Sequence, residues 1–189
     1  PIARHNQIAF ETIANRLSGN KIIIDSGCGT GTSTQLIAKR YPEALIFGVD
    51  KSSHRIRIAN GRRQDDSTNE EKKNYFFVRS DLTDFYRLFV NSGEKLYKHF
   101  ILYPNPWPKA KHIQRRWHGS AVFPQIIQTG QRIELRSNWR LYLEEFKLAA
   151  DIAGLLGNIT EVNDEQPLTP FEAKYQASEQ VCWQLNLER

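Results

Sequence analysis

The feature that most constrains the fold of this chain is a short apolar segment that ends at a cluster of glycines. Residues 21 to 25 read KIIID and residues 25 to 34 read DSGCGTGTST, which places glycines at Gly27, Gly29 and Gly31. A continuous run of β-branched residues indicates a buried parallel strand, because such strands are covered on both faces. Glycines allow a sharp turn and a close approach of the backbone to a ligand, and the helix that follows offers unpaired N–H groups. The segment therefore predicts a strand, a ligand-binding turn and a helix.

The same alternation of strand and helix continues along the chain. Further strands are predicted at residues 44 to 50, 75 to 81, 98 to 104, 131 to 137, 157 to 162 and 181 to 187. Helices are predicted at residues 4 to 18, 33 to 41, 53 to 63, 82 to 90, 119 to 129 and 138 to 156, with a charged loop at 65 to 74 and a loop with a short helix at 168 to 178. This order predicts an α/β fold with a seven-stranded, mostly parallel sheet and helices on both faces.

Length and composition limit the number of domains and the classes of protein. A chain of 189 residues with 40% hydrophobic content can bury one sizeable core, so we expect a single domain over residues 1 to 189. We expect no membrane span, because no apolar run approaches roughly 20 residues. The start lacks the features of a secretory signal, and the two cysteines, Cys28 and Cys182, lie far apart without a histidine cluster. We therefore expect a cytoplasmic protein without a metal, and the absence of Met beside Pro1 indicates that the native N-terminus is missing.

Acidic residues follow the first three predicted strands. Asp25 ends the first strand, Asp50 ends the second, and Asp81 follows the third. Ligands of parallel sheets bind at the carboxyl ends of the strands, where a carboxylate can accept both hydroxyls of a ribose or face an ammonium group. The glycine spacing is G-x-G-x-G, which differs from the dinucleotide fingerprint and from the phosphate-binding loop of nucleotide triphosphatases.

This combination resembles the class I S-adenosylmethionine-dependent methyltransferases, which have a Rossmann-like fold. In that family the residue equivalent to Asp25 lies near the methionine part of the cofactor, the Asp50 equivalent binds ribose, and the Asp81 equivalent neighbours the adenine. The resemblance thus implies S-adenosyl-L-methionine as the cofactor, held by these acids and by the glycines of the turn.

Two segments of the chain are basic and contain no acid. The net charge is +5, and each segment carries five Lys or Arg side chains: Lys51, Arg55, Arg57, Arg62 and Arg63 in residues 51 to 64, and Lys109, Lys111, Arg115, Arg116 and Arg132 in residues 109 to 132. Solvated helix faces are an alternative explanation, above all for the first segment. The second segment adjoins a proline-rich stretch with tryptophans, which favours an anionic partner such as a nucleic acid.

The stretch YPNPWPKAKHIQRR, residues 103 to 116, looks like the signature of the tRNA (guanine-N7)-methyltransferases. That signature has Phe or Tyr, Pro, then Asp-Pro-Trp-Pro-Lys, a His and paired Arg. The segment LRSNWRLY at 135 to 142 is similar to the family's Thr-Asp-Trp segment, and TPFE at 169 to 172 matches its Thr-x-Phe-Glu motif. The resemblance covers residues 20 to 187 and implies that the chain binds RNA, in particular tRNA. We expect a monomer or a homodimer.

The resemblance also implies roles for individual residues. Asn105 would lie beside the transferred methyl group, as the catalytic residue and as part of the cofactor site, and Lys109 would contact the substrate. The other implied substrate contacts are the guanine pocket, lined by Asn138, Thr169 and Glu172, and the RNA phosphates, bound by His112, Arg115 and Arg116. Lys and Arg attract phosphates without reading sequence, and a Glu can accept from the N1 and amino hydrogens of guanine.

Two positions depart from the family pattern, since Asn105 and Asn138 stand where the family has Asp. N7 of guanine is a bare lone pair, so its attack on a sulfonium methyl needs alignment and no general base. The product ring is cationic, however, and an amide stabilises that charge less than a carboxylate does. Two alternatives therefore stay open. One is a methyltransferase that acts on planar amino groups, since such enzymes use Asn-Pro-Pro-Tyr or Asn-Pro-Pro-Trp motifs after the fourth strand. The other is an RNA-binding paralogue that no longer methylates.

Overall fold

The computed structural model of the chain describes residues 1 to 65 and 73 to 189. The strands in these ranges are β1 (Ile22–Ser26), β2 (Leu45–Asp50), β3 (Tyr75–Arg79), β4 (Lys98–Leu102), β5 (Arg132–Ser137), β6 (Leu156–Glu161) and β7 (Trp183–Glu188). The α-helices are α1 (Arg4–Ala14), α2 (Thr32–Arg40), α3 (Ser53–Asp65), α4 (Leu82–Asn91), α5 (Phe123–Thr129), α6 (Arg140–Ile152) and α7 (Pro170–Ala177).

All seven strands belong to one sheet in the order β3-β2-β1-β4-β5-β7-β6. The pairs from β3 through β5 are parallel, whereas β7 is antiparallel to both β5 and β6. The predicted seven-stranded, mostly parallel sheet is therefore confirmed. Strand order reverses at β1, between β2 and β4, and such a switch point leaves a crevice at the carboxyl ends of the strands.

The central strand β1 shows why the sheet is covered on both faces. Successive side chains of a strand point to opposite faces, and all of its isoleucines are at most 1% exposed. Ile22 and Ile24 pack in the larger core cluster with Phe85 of α4, while Ile23 packs in the second cluster with Ile37 of α2. The continuous apolar run thus supplies both halves of the core.

Some predicted boundaries were wrong by a few residues. Helix α1 ends at Ala14, and β4 ends at Leu102 because Tyr103 takes a left-handed backbone conformation. The helix predicted at 119 to 129 begins only at Phe123, with a proline in its first turn. Two 3-10 helices, Ala110–Arg115 and Trp117–Gly119, were not predicted, because such short turns carry no extended periodic pattern.

Two other expectations concern the charged loop and the membrane. Most of the loop predicted at 65 to 74 lies outside the described residues. Among the helices of the described ranges, none combines the length and the apolar character that a bilayer crossing requires.

Candidate functional site

A cavity of about 290 Å³ lies at the carboxyl ends of the strands around the switch point. Its walls come from the segments that follow β1, β2, β3 and β4 and from the 3-10 region and α6. The lining residues are Ser26, Gly27, Asp50, Lys51, Arg55, Asp81, Leu82, Thr83, Leu102, Tyr103, Pro104, Asn105, Trp107, Arg115, Trp117 and Tyr142. The cavity thus joins the glycine turn, two of the predicted acids and the proline-rich stretch.

The glycine turn after β1 has the tight geometry that its sequence predicts. Gly27, Gly29 and Gly31 have φ values of 78°, 58° and 86°, a region that other residues rarely adopt. The Gly27 N–H donates to the carbonyl of Val49 at 2.8 Å, which holds the turn against β2. At Gly31 a Cβ would also collide with the ring of Phe77. Gly27 lines the cavity, and the cofactor role of all three glycines stays a prediction.

The first predicted acid, Asp25, is buried beneath the glycine turn. Its Oδ2 accepts from the hydroxyls of Ser33 at 2.6 Å and Thr34 at 2.7 Å, both in the first turn of α2. Burial raises the pKa of Asp25, and the two hydroxyls partly offset this rise. Asp25 is absent from the described cavity wall, so its placement gives no support to the predicted contact near the methionine part of a cofactor.

Asp50 and Asp81 both line the cavity, as the strand-end rule predicted. Asp50 is held by two backbone donors, the N–H of Gly29 at 3.1 Å and the N–H of Ser52 at 2.8 Å. Asp81 caps α4 and accepts from the N–H of Thr83 at 2.9 Å. These bonds fix each carboxylate in the wall, and further lone pairs remain for a ligand.

The turn after β4 brings Asn105 to the same cavity. Asn105 Oδ1 accepts from the backbone N–H of Trp107 at 3.3 Å, an Asx-type turn. Tyr103 and Trp107, on either side, have φ values of 50° and 46°. Such conformations cost about 1–3 kcal/mol each in residues other than glycine and cluster at functional sites. The proline-rich stretch is therefore a strained, fixed turn with its amide at the cavity.

The predicted phosphate contacts differ in their exposure. Arg115 lines the cavity, and its exposed guanidinium lies 4.7 Å from the centre of the Trp107 ring. His112 contacts the same ring edge-on at 5.4 Å, and Lys109 is exposed one position before the first 3-10 helix. Arg115 and His112 thus pack on Trp107, which lines the cavity, and the exposed Lys109 lies two positions further along the chain.

Arg116 has a different environment from Arg115. It is only 5% exposed, pairs with Glu145 of α6, and donates from Nε and Nη2 to the carbonyl of Trp107 at 3.3 and 3.2 Å. The guanidinium also lies 5.1 Å from the centre of the Trp139 ring. In this position Arg116 stabilises the turn that carries Asn105, and the predicted RNA contact has no support from its placement.

The predicted guanine-pocket residues lie outside the described wall of the cavity. Asn138 donates from Nδ2 to Gln180 Oε1 at 3.2 Å. Thr169 caps α7, and its Oγ1 accepts from the N–H of Glu172 at 3.0 Å. The Glu172 side chain is fully buried and accepts from the hydroxyl of Tyr103 at 2.9 Å. The Glu172 carboxylate also accepts from Arg136 and from the N–H of Leu168, so its placement gives no support to the predicted contact with guanine.

Several cavity residues were missed by sequence reasoning. Ser26, Lys51, Arg55, Trp117 and Tyr142 line the wall, although none of them was predicted as a site residue. Ser26 and Lys51 could have been found, since each adjoins a predicted acid at a strand end. Trp117 and Tyr142 could not, because they reach the cavity only through the packing of the 3-10 region on α6. Within the described ranges no cluster of three or more His, Cys, Asp or Glu side chains is placed to hold a metal.

A family model described as "Putative methyltransferase" matches residues 19 to 185. The chain belongs to this methyltransferase family. Two similar curated proteins bear the name tRNA (guanine-N(7)-)-methyltransferase. The one from Neisseria meningitidis serogroup B is 26% identical over 174 residues, which cover 88% of this chain and 71% of that protein. The one from Pediococcus pentosaceus is 27% identical over 177 residues, which cover 87% and 79%. The family resemblance read from the motifs is confirmed.

Solved structures show the fold of this methyltransferase at low sequence identity. The 16S rRNA methyltransferase KamB matches with a TM-score of 0.62 at 14% identity, covering 94% of this chain and 90% of that one. The methyltransferase domain of bacterial-CtHen1-CN matches with a TM-score of 0.59 at 17% identity, covering 98% and 100%. Together with the sheet order, these matches confirm the predicted Rossmann-like class I methyltransferase fold.

Proposed function

We propose that this methyltransferase uses S-adenosyl-L-methionine to methylate N7 of a guanine in tRNA. The observation that carries the proposal is the cavity itself, which has Asp50 in one wall and the Asn105 turn in the other. The curated names of the two relatives support guanine N7 as the target atom and tRNA as the RNA. The basic rim supports an anionic substrate.

The donor groups of the cavity fit the proposed cofactor. Across the sheet, Asp81 and Asp50 follow β3 and β2, whereas Gly27 and Asn105 follow β1 and β4. Asp50 would accept from the ribose hydroxyls, Asp81 would adjoin the adenine, and the absence of a side chain at Gly27 allows close approach of the ligand. When bound, S-adenosyl-L-methionine supplies a methyl group on a sulfonium sulfur.

The protein would promote the reaction mainly by aligning guanine N7 with the methyl group. The lone pair of guanine N7 attacks without losing a proton, so no general base is needed, and a fixed geometry contributes much of the rate enhancement. Asn105 and Trp107 are held by their Asx turn, by the bonds from Arg116 and by the packing of Trp107 against Arg115. The amide oxygen of Asn105 provides a dipole beside the ring that becomes cationic.

The surface around Trp107 would hold the RNA backbone. Lys109, Lys111 and Arg115 are exposed and follow directly on the turn that bears Asn105. Cations in this position attract phosphates in a salt-dependent manner and orient the RNA without reading its sequence. The target guanine would then enter the cavity beside Asn105.

Methylation of a planar amino group is the main alternative. In that chemistry the Asn oxygen accepts a hydrogen bond from the amino group of the substrate. Asn105 Oδ1 accepts from the N–H of Trp107 and has a second lone pair, so this contact is compatible with both chemistries. The names of the curated relatives favour attack by N7 over attack by an amino nitrogen.

Incubation of the protein with labelled S-adenosyl-L-methionine and total RNA, followed by mass spectrometry of the nucleosides, tests the proposal. We expect 7-methylguanosine in the tRNA fraction, and cleavage of the product by aniline after borohydride reduction. Heat-denatured protein is the control. Label in methyladenosine or methylcytidine would indicate an amino-group enzyme, and binding of RNA and cofactor without transfer would indicate a non-catalytic paralogue.

A further inference from the structure

A buried polar cluster lies directly behind the cavity wall and has no part in the proposed function above. Ser26 is 6% exposed and ends β1, Tyr86 belongs to α4, and His99 belongs to β4. Ser26 Oγ lies 2.7 Å from the hydroxyl of Tyr86 and 2.8 Å from Nε2 of His99. Tyr86 and His99 are fully buried, so Ser26 is the member of the cluster that borders the cavity.

The proton positions in the cluster follow from its geometry. The Tyr86 hydroxyl is closer to Ser26 Oγ, at 2.7 Å, than to His99 Nε2, at 3.2 Å, so it donates to the serine. Burial lowers the pKa of His99 to about 3, so the ring is neutral and carries one proton. Nδ1 of His99 is buried and has no hydrogen-bond partner in the part of the chain that the structure describes. A buried N–H without an acceptor is rarer than a bare acceptor, which places the proton on Nε2.

In this arrangement Ser26 Oγ accepts two hydrogen bonds, one from Tyr86 and one from His99. A hydroxyl has two acceptor lone pairs, and both are then in use. The hydrogen of Ser26 has no acceptor left within the cluster. Trp117, which packs on Tyr86 at 5.9 Å, lines the cavity together with Ser26, so the cluster adjoins the cavity wall. A ligand in the cavity could accept the remaining hydrogen of Ser26.

We propose that Ser26 donates a hydrogen bond to the amino-acid carboxylate of the bound cofactor, with His99 and Tyr86 as the residues that orient its hydroxyl. The proposal rests on the proposed cofactor. Asp50 and Asp81, after β2 and β3, are placed to bind the adenosine, so the amino-acid part lies over β1 and β4, where Ser26 is. The carboxylate is the anionic acceptor of the cofactor, and charge-assisted hydrogen bonds are the stronger ones.

Calorimetry with two ligands separates this contact from a general effect on the site. S-adenosylhomocysteine has the amino-acid carboxylate, whereas 5'-methylthioadenosine lacks it. We expect Ser26→Ala to weaken binding of S-adenosylhomocysteine about 10-fold, the loss typical of one hydrogen bond to a charged group. Binding of 5'-methylthioadenosine should change less than about 2-fold, because its contacts are retained. Equal losses for both ligands, or no loss for either, would overturn the proposal.

Ser137→Ala is the matched control, since Ser137 is also buried at the carboxyl end of a strand, β5, but lies outside the described cavity wall. We expect it to bind both ligands as the unmodified protein does. Nitrogen-15 NMR of the histidines tests the tautomer without any substitution, and a proton on Nδ1 of His99 would contradict the arrangement. Neither measurement requires RNA, so the proposal can stand if guanine methylation fails, and it fails if the protein binds neither ligand.

Discussion

The hydroxyl of Tyr103 donates a hydrogen bond to the buried Glu172 carboxylate at 2.9 Å, and this bond joins the turn after β4 to α7. Glu172 Oε1 accepts in addition from Arg136 at 3.0 Å and from the N–H of Leu168 at 3.2 Å. Burial raises the pKa of Tyr103, and the adjacent Cys182 and Glu172 add to the effect, so the hydroxyl keeps its proton. The carboxylate is thus an anchor for the strained turn that carries Asn105.

Substitution of Glu172 tests this anchor. We expect Glu172→Ala to lower the free energy of unfolding by about 3 kcal/mol, because it removes a buried partner of Arg136. Tyr103→Phe should cost only about 1 kcal/mol, the value of one hydrogen bond. Urea unfolding measures both. A Glu172→Ala protein with unchanged stability and lost methylation would instead indicate direct contact with the guanine.

The adjacent arginines should respond to substitution in opposite ways. We expect Arg115→Ala to leave the unfolding free energy within about 0.5 kcal/mol, because its side chain is exposed. The same variant should weaken RNA binding and reduce the salt slope of binding by about 1. Arg116→Ala should destabilise the protein by about 2–3 kcal/mol, since it leaves the Trp107 carbonyl without a side-chain donor and removes the arginine partner of Glu145, which keeps only its contact with His118.

Each arginine variant serves as the control for the other. Filter binding of tRNA across a range of salt and urea unfolding are the two measurements. An unchanged salt slope in Arg115→Ala would remove it from the phosphate contacts, and an unchanged stability in Arg116→Ala would contradict its structural role.

Asn105→Asp restores the residue that the resembling family has at this position. An Asp oxygen can accept from the Trp107 N–H as the amide does, so we expect the turn to persist. Its charge would stabilise the cationic product ring, and methylation of guanine N7 should stay equal or increase. Single-turnover methylation of tRNA measures the effect. Complete loss of activity with an unchanged fold would favour chemistry that requires the amide.

Asp50→Ala tests the cofactor end of the cavity. The substitution removes the proposed acceptor for the ribose hydroxyls and leaves the N–H groups of Gly29 and Ser52 without their carboxylate. We expect affinity for S-adenosylhomocysteine to fall at least about 10-fold, since a charged acceptor is lost. Calorimetry measures the affinity, and circular dichroism checks the fold. Unchanged affinity would remove Asp50 from the site.

The buried His99 predicts a pH dependence of stability. Burial lowers its pKa from 6.5 to about 3, so between these values the unfolded chain binds a proton that the folded chain does not. Stability contributed by this group is complete above pH 6.5 and is lost as the pH falls towards 3. From pH 7.5 to pH 5 the loss should be about 2 kcal/mol.

His99→Gln should show a correspondingly smaller loss over the same pH interval in urea unfolding. His118, whose pKa burial also lowers, is present in both proteins and cancels in the comparison. Equal losses in the two proteins would show that His99 does not titrate between the folded and unfolded states in this way.

The order of strands and helices, the glycine turn and the placement of Asp50, Asp81 and Asn105 at one edge of the sheet could be predicted from the sequence. Each depends on a local signal: β-branched runs for strands, glycines for a turn and acids at strand ends. Parallel topology then brings the carboxyl ends together. Each crossover connection returns the chain to the end of the sheet where the previous strand began, so the parallel strands all finish at the opposite edge. The family motifs supplied the expected chemistry of those positions.

Only the tertiary structure decided which of the motif residues are free to meet a ligand. Arg115 and Arg116 are adjacent residues of the same type, yet packing against α6 buries Arg116 and leaves Arg115 exposed at the cavity. The contact of Tyr103 with Glu172 spans 69 positions, and that of Ser26 with His99 spans 73. Local patterns determine elements, whereas contacts over such separations depend on how the elements pack. The sequence by itself therefore determined the sheet and the edge at which a ligand would bind. The packing of the elements decided which side chains are exposed at that edge.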